Sequence, residues 1–200
     1  MNLVLLGPPG SGKGTQAKLL GEKLKIPHIS LGDMLREEVR KESALGKKVK
    51  AVMEAGNLVP DEVTIELTRQ RLAEKDCRAG FILDGFPRSA AQAEAFDKIL
   101  KDLKIGMDRL LYFNLTEEQV VRRLSGRRSC KVCGAVYHIE LNPPKKKNVC
   151  DRCGGDLYQR KDDEESAIRT RFEVYAAQTR PLLKRYENTG KLALIAYAGN

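Results

Sequence analysis

No apolar run in this 200-residue sequence is long enough to cross a membrane. A helix that spans a bilayer needs about 20 consecutive apolar residues. The N-terminal run, NLVLL, falls far short, and no basic stretch precedes it as in a signal segment. A cytoplasmic protein is expected. Internal repeats and low-complexity tails are also missing, which sets repeat architectures aside. Histidine is scarce. His28 and His138 are the only two, and both read as structural. The net charge of +9 suggests nucleic acid, yet there is no long basic helix and no basic patch interleaved with aromatics. A small polyanionic substrate needs clustered arginines just as much. Composition leaves the two open.

What is present alternates. Short buried runs (NLVLL, then Phe81–Leu83, RLLYFNL and KLALIAYA) are separated by helical stretches, with IPHIS as a further short strand. That order predicts an α/β fold: a three-layer parallel sheet with helices on both faces. A helix is expected from Lys13 to about Lys25, burying Ala17, Leu19, Leu20 and Leu24. Ser30 should cap the next helix, which runs to about Arg40, and a polar one should span Gly46 to Ala55. Asp61 is a plausible cap after Pro60. Ser89 with Gln92, and Thr116 with Gln119, have capping-box spacing. Near the end, Ile168, Phe172, Tyr175, Thr179, Leu182 and Tyr186 step by three and four, which predicts one long amphipathic helix.

The stretch GPPGSGKGTQ follows the first buried run directly. It is close to the phosphate-loop pattern G-x-x-x-x-G-K-[ST]. Its glycines let backbone N–H groups turn toward phosphate oxygens, and the next helix adds its positive end. Lys13 supplies a mobile charge. The pattern departs at one place: Gly14 stands where the magnesium-holding hydroxyl belongs, and Thr15 comes one step late. Asp84 ends the second buried run, where a carboxylate for magnesium belongs. No Glu follows it, which disfavours an ATPase motor. No N-K-x-D is present, which disfavours a GTPase. Transfer of a phosphoryl group to a second substrate remains.

Five cysteines is an odd count. Cys77 stands alone and reads as a small structural residue. The other four form Cys130-x-x-Cys133 and Cys150-x-x-Cys153, sixteen residues apart, which is zinc-ribbon spacing. Two such turns make a closed tetrahedral site, so the Zn2+ would be structural. A module this small builds little core of its own, and the metal supplies one.

GPPGSGKGTQ, GDMLR, DGFPR with Gln92, GRR and QRKDD occur in that order. Together they resemble the adenylate kinases over essentially the whole chain. The four-cysteine insert resembles the zinc-bearing lid of some bacterial members. The resemblance implies transfer of a phosphoryl group from MgATP to AMP, giving two ADP, by a monomer that needs no nucleic acid or membrane. It implies a core of residues 1–30, 60–126 and 160–200, an AMP-binding flap at 31–59 and a lid at 127–159. Gly10, Ser11, Gly12, Lys13, Gly14 and Thr15 would grip ATP phosphates, with Arg123, Arg127, Val136, Tyr137 and Gly199 also on ATP. Leu31, Arg36, Asn57, Leu58, Val59, Gly85, Phe86, Pro87, Arg88 and Gln92 would bind AMP. Arg160 and Arg171 would bridge toward the transferred group, beside Arg88, Arg127 and Asp84. Leu31 stands where the family commonly has Thr. Adenine selectivity is then left to Gln92 and the flap backbone, and a kinase for another nucleoside monophosphate is the alternative. A zinc-dependent nucleic-acid-binding regulatory protein is a further one. Relatives usually continue into a final helix, so part of the ATP adenine pocket and some cover for the last strand are expected to be missing.

Overall fold

The computed structural model describes residues 1–195, so Gly199 lies outside the described residues. Five parallel strands form the main sheet. They are β1 (Asn2–Leu6), β2 (His28–Ser30), β3 (Phe81–Asp84), β4 (Arg109–Phe113) and β8 (Leu192–Ile195), in the order β2-β3-β1-β4-β8. Alternation sends side chains to opposite faces. Val4, Leu6, Phe81, Leu83, Leu110 and Tyr112 enter the larger core. Leu3, Leu5, Ile82 and Phe113 enter a smaller one, against Ala17. Phe81, Ile82 and Leu83 are fully buried. Each contributes about 1.5–3 kcal/mol of apolar burial, which fixes the strand that carries Asp84.

Helix α1 (Lys13–Leu24) covers the smaller core, and the predicted stripe is only half right. Ala17 and Gly21 are buried and Leu20 is half-buried, but Leu19 is 56% exposed and Leu24 is exposed too. The inner side of α1 is narrow. Gly21 packs where a Cβ would stand 3.0 Å from the Ile26 carbonyl oxygen, so small residues let the helix approach closely.

Helices α2 (Leu31–Arg40) and α3 (Ala44–Glu54) pack together beside the larger core. Ser30 caps α2 by accepting from the Asp33 N–H, as expected. Ser43 caps α3, which starts two residues before the predicted Gly46. Helix α4 (Asp61–Leu72) begins at Asp61, and Pro60 is its cap residue. The Asp61 carboxylate does not cap. It accepts from Ser89 Oγ and Gln92 Nε2 instead. Helix α5 (Ala90–Asp102) is capped by Ser89 through the Gln92 N–H. The Gln92 side chain does not return to Ser89, so only half of that box forms. Both halves form at Thr116 and Gln119, before α6 (Glu117–Ser125).

Residues 127–158 fold apart from the main sheet. β5 (Arg127–Cys130), β6 (Val136–His138) and β7 (Leu157–Tyr158) make a small antiparallel sheet ordered β6-β5-β7. The predicted long helix runs without a gap from Glu165 to Glu187 but changes its hydrogen-bond type along the way. It divides into α7 (Glu165–Val174), a π-turn at Tyr175–Thr179, a 3₁₀ turn at Arg180–Leu182 and α8 (Leu183–Glu187). The turns change the register, yet Ile168, Tyr175, Thr179, Leu182 and Tyr186 are all buried and Phe172 is half-buried. Tyr175 and Thr179, inside the π-turn, hold partners elsewhere. The Tyr175 hydroxyl meets that of Tyr112 at 2.8 Å, and Thr179 Oγ1 donates to the Arg88 carbonyl at 2.8 Å.

Candidate active site

The C-terminal edge of the main sheet opens on a cleft of about 670 Å³. β1 and β3 are neighbours with Leu5 opposite Asp84, so the glycine loop and Asp84 leave the sheet side by side. Gly12 takes a left-handed conformation (φ 91°) and starts α1. The loop amides therefore gather at a helix N-terminus, where anions bind. Gly10 is left-handed too, and a Cβ there would strike the Leu124 side chain at 2.8 Å. At Gly14 a Cβ would stand 3.3 Å from Asp84 Oδ2, so the carboxylate occupies the space beside the first turn.

Lys13 lies at the loop centre. Its Nζ donates to the carbonyls of Gly7 (2.8 Å) and Pro8 (2.7 Å) and to Ser11 Oγ (3.1 Å). Burial lowers its pKa to about 8. Asp84 pulls the other way, and Arg88, Arg171 and Arg127 add to the fall. Around it the cleft gathers Arg36, Arg88, Arg123, Arg127, Arg160 and Arg171 from five separate parts of the chain. Burial lowers the pKa of Arg88, Arg160 and Arg171. At Arg160, repulsion by Arg36 and Arg127 adds to it. Arginine nevertheless stays charged at neutral pH. Cations drawn together out of water favour a polyanion strongly.

Carboxylates and backbone atoms hold these arginines in place. Arg127 makes a two-pronged pair with Asp163 (Nε to Oδ2 2.8 Å, Nη2 to Oδ1 2.6 Å). Arg171 reaches Asp162 at 3.0 Å and Asp163 at 3.3 Å. Arg36 pairs with Asp33 at 2.7 Å. Arg88 Nε donates to the Gly85 carbonyl, and Arg160 Nε to Ser129 Oγ, both at 2.8 Å. Sequence reasoning gives no role to Asp162, Asp163 or Ser129. The signal for the two acids is adjacent: they are the DD of QRKDD, directly after Arg160 and Lys161.

Every other described candidate for the nucleotide site lines this cleft, with one exception. Ser11, Thr15, Leu31, Asn57, Leu58, Val59, Gly85, Pro87, Gln92, Val136 and Tyr137 are all on its wall. Phe86 is not. Its ring is fully buried and meets Phe96 edge-to-face with centroids 5.9 Å apart. At the end of β6, His138 Nδ1 accepts from the N–H groups of Glu140 and Leu141, both at 3.0 Å. His28 Nε2 stands 3.6 Å from Asp84 Oδ2.

In the small sheet, the Sγ atoms of Cys130, Cys133, Cys150 and Cys153 lie within 4.8 Å of one another. The shortest separations are 3.5 Å (Cys130–Cys153) and 3.6 Å (Cys133–Cys150), too long for disulfides at about 2.05 Å. A tetrahedron of Zn–S bonds of about 2.3 Å has edges of about 3.8 Å. The cluster is compatible with that size. The two turns also match each other. Gly134 and Gly154 are left-handed and donate back to the Cys130 and Cys150 carbonyls. The Cys130 and Cys150 N–H groups donate to Ala135 and Gly155. Cys77 is far simpler: buried, and its thiol pushed up to about 11 by desolvation.

A parallel sheet with a glycine loop at its C-terminal edge, ringed by cations, defines a P-loop nucleotide-binding protein of the phosphotransferase kind. Comparison with known proteins narrows this. The sequence model of the adenylate kinase family matches residues 5–191. The chain is 53% identical over 197 residues to an adenylate kinase of Caldicellulosiruptor bescii, covering 98% of this chain and 91% of that one. It is 55% identical over 192 residues to one from Archaeoglobus fulgidus (96% and 88%). It is 53% identical over 195 residues to one from Bacillus licheniformis (98% and 90%). The chain belongs to the adenylate kinase family.

Proposed function

We propose that the protein moves the terminal phosphoryl group of ATP to a phosphate oxygen of AMP. One P–O bond of ATP breaks, a new one forms on AMP, and two ADP result. The observation that carries this reading is the convergence of Lys13 with Arg36, Arg88, Arg123, Arg127, Arg160 and Arg171 on one cleft at the glycine loop. Phosphoryl transfer passes through a loose transition state with charge spread over equatorial oxygens. It needs placement and cations and little covalent chemistry. A phosphate oxygen as nucleophile needs no strong base.

Residues 10–15, Arg123 and Arg127, with Val136 and Tyr137 above them, take ATP. Arg36 and Arg88 take the AMP phosphate, and Asn57, Leu58, Val59 and Gln92 its base. Arg160, repelled by both Arg36 and Arg127, and Arg171, repelled by both Arg127 and Arg88, bridge toward the transferred group. Magnesium bound with the nucleotide neutralises phosphate charge, and the Asp84 carboxylate beside α1, with Thr15, fits the water shell of such an ion. Residues 31–59 act as a flap and 127–159 as a lid, and closure of both keeps water from the transferred group. The Lys161–Glu54 ion pair at 3.3 Å ties the core segment just after the lid to α3 of the flap. The four thiolates hold a structural zinc in the lid. The protein works as a cytoplasmic monomer without nucleic acid.

A coupled assay of ATP with AMP, CMP, UMP and GMP tests the assignment. Fastest turnover is expected with AMP. Equal or faster turnover with another monophosphate refutes the adenylate reading, and salt-sensitive DNA or RNA binding without ADP formation refutes the kinase reading.

A further inference from the structure

The Gln92 side chain lines the cleft, although the residue is only 1% exposed. A carboxamide can sit either way round, and its neighbours decide which. The Arg88 N–H donates to Gln92 Oε1 at 2.7 Å. Gln92 Nε2 donates to Asp61 Oδ1 at 2.7 Å and to Thr64 Oγ1 at 3.1 Å. Thr64 spends its own proton on the Asp61 carbonyl, at 2.9 Å, which leaves its oxygen to accept. The other Asp61 oxygen accepts from Ser89 Oγ at 2.8 Å. Turning the amide over would set Oε1 against a carboxylate and its NH₂ against an N–H. Two bonds would become two repulsions, buried where such errors cost most.

We infer that Asp61 is a positioning residue for purine selection: by fixing the Gln92 amide, it makes the monophosphate site accept a 6-aminopurine and reject a 6-oxopurine. The inference rests on the proposed role of Gln92 at the AMP base. Adenine offers an N6–H donor beside the N1 acceptor. Hypoxanthine offers the reverse, an O6 acceptor beside an N1–H donor. The fixed amide presents Oε1, with a second lone pair, next to Nε2, whose two hydrogens go to Asp61 and, by the longer bond, to Thr64; adenine N1 would take over the hydrogen now given to Thr64. That order complements adenine and opposes hypoxanthine. Leu31, buried and apolar on the same cleft wall, brings no polar side chain to share the task. Asp61 itself does not line the cleft, so it acts through Gln92.

The experiment compares kcat/KM for AMP and IMP, with ATP as donor, in the wild type and three variants. Asp61→Asn keeps the volume but adds an NH₂ donor, which removes one of the two repulsions that hold the Gln92 amide in its orientation. The AMP:IMP ratio should fall at least ~10-fold, against the ~10⁴-fold rejection that sites built on a specific hydrogen bond can reach. Most of the loss should appear in KM for AMP. Ser89→Ala removes a different bond to Asp61 and the α5 cap, so it should lower thermal stability and leave the ratio within ~3-fold of wild type. Gln92→Ala should collapse the ratio. A ratio preserved in Asp61→Asn while Gln92→Ala collapses it overturns the Asp61 inference alone. A ratio preserved in Gln92→Ala overturns the base-reading role of Gln92 and the inference with it. A wild type that phosphorylates neither nucleotide overturns the proposed function itself. A ratio that falls equally in Ser89→Ala and Asp61→Asn reduces Asp61 to a structural residue.

Discussion

Replacing Asp163 by alanine should weaken both the fold and the reaction, and the size of the effect follows from its contacts. Asp163 is 0% exposed. It takes two short bonds from Arg127 and a longer one from Arg171. Removing one member of a buried pair costs about 3–5 kcal/mol, because the other charge is left behind without compensation. Here the residual cost is moderated. Arg171 keeps Asp162, through both its carboxylate and its carbonyl. The Arg127 side chain is partly exposed and can recruit water. The lower end, about 3 kcal/mol, is therefore expected. In a chain of this size each kcal/mol moves the melting temperature by about 2–4 °C, so Asp163→Ala should melt about 6–12 °C lower. Asp163→Asn keeps one acceptor for Arg127 and should lose less. Urea unfolding with an unchanged slope, run beside the coupled kinase assay, measures both consequences. In the assay kcat should drop with kcat/KM, since Arg127 and Arg171 would no longer be preset. A loss below about 1 kcal/mol, the range of an exposed ion pair, would refute the argument that this acid organises the cage.

Lys13→Met should abolish transfer and leave the circular dichroism spectrum unchanged; turnover near the wild-type rate would contradict the cage. The lowered pKa of Lys13, about 8, has two consequences. As pH rises through 8 the free enzyme loses this cation, so kcat/KM for ATP should fall along a single-proton curve that Lys13→Arg removes. A flat profile from pH 7 to 9.5 would argue against it. The stability sign is the opposite. Between pH 8 and the unfolded value of about 10.4 the unfolded chain binds the extra proton, so Lys13's contribution to folding stability rises with pH. Elemental analysis should find about one zinc per chain by the four-thiolate logic. Removing it with a chelator should lower the melting temperature, and metal-free protein of undiminished stability would rule out a structural metal.

The strands and the loop are legible in the sequence because burial on both faces demands long apolar runs and phosphate binding demands glycine. The cysteine turns are legible for a similar reason: spacing and left-handed glycines are local requirements. What escapes is decided at a distance. Leu19 and Leu24 look like core from periodicity, but α1 touches the sheet through Ala17 and Gly21, and nothing in its own spacing reveals how close that approach is. Asp61 has a cap residue's chemistry, but Ser89 and Gln92, some 30 residues on, claim its carboxylate. The helix stripe from Ile168 to Tyr186 predicts burial and the helical path well, but not the change of hydrogen-bond type within it. The π-turn lies where Tyr175 and Thr179 answer to Tyr112 and Arg88, and such turns are frequent at functional sites. The arginines are visible one by one, while their carboxylate partners emerge only once Arg127 and Asp163 are brought together across 36 positions.

Gly14 joins the loop to the metal question. A hydroxyl residue at that position would bring its Cβ to 3.3 Å of Asp84 Oδ2, tighter than ordinary van der Waals contact, and a β-branched threonine would crowd it further. β1 and β3 are locked in register with Leu5 opposite Asp84, so neither element can step aside without shifting the sheet. A side chain at position 14 would therefore need the Asp84 carboxylate, the far end of its side chain, to give by a few tenths of an ångström. The sequence takes the carboxylate, leaves position 14 bare, and carries its hydroxyl one residue later on Thr15. The bare position 14 leaves the Asp84 carboxylate against the first turn of α1, on the side of the site that magnesium would face.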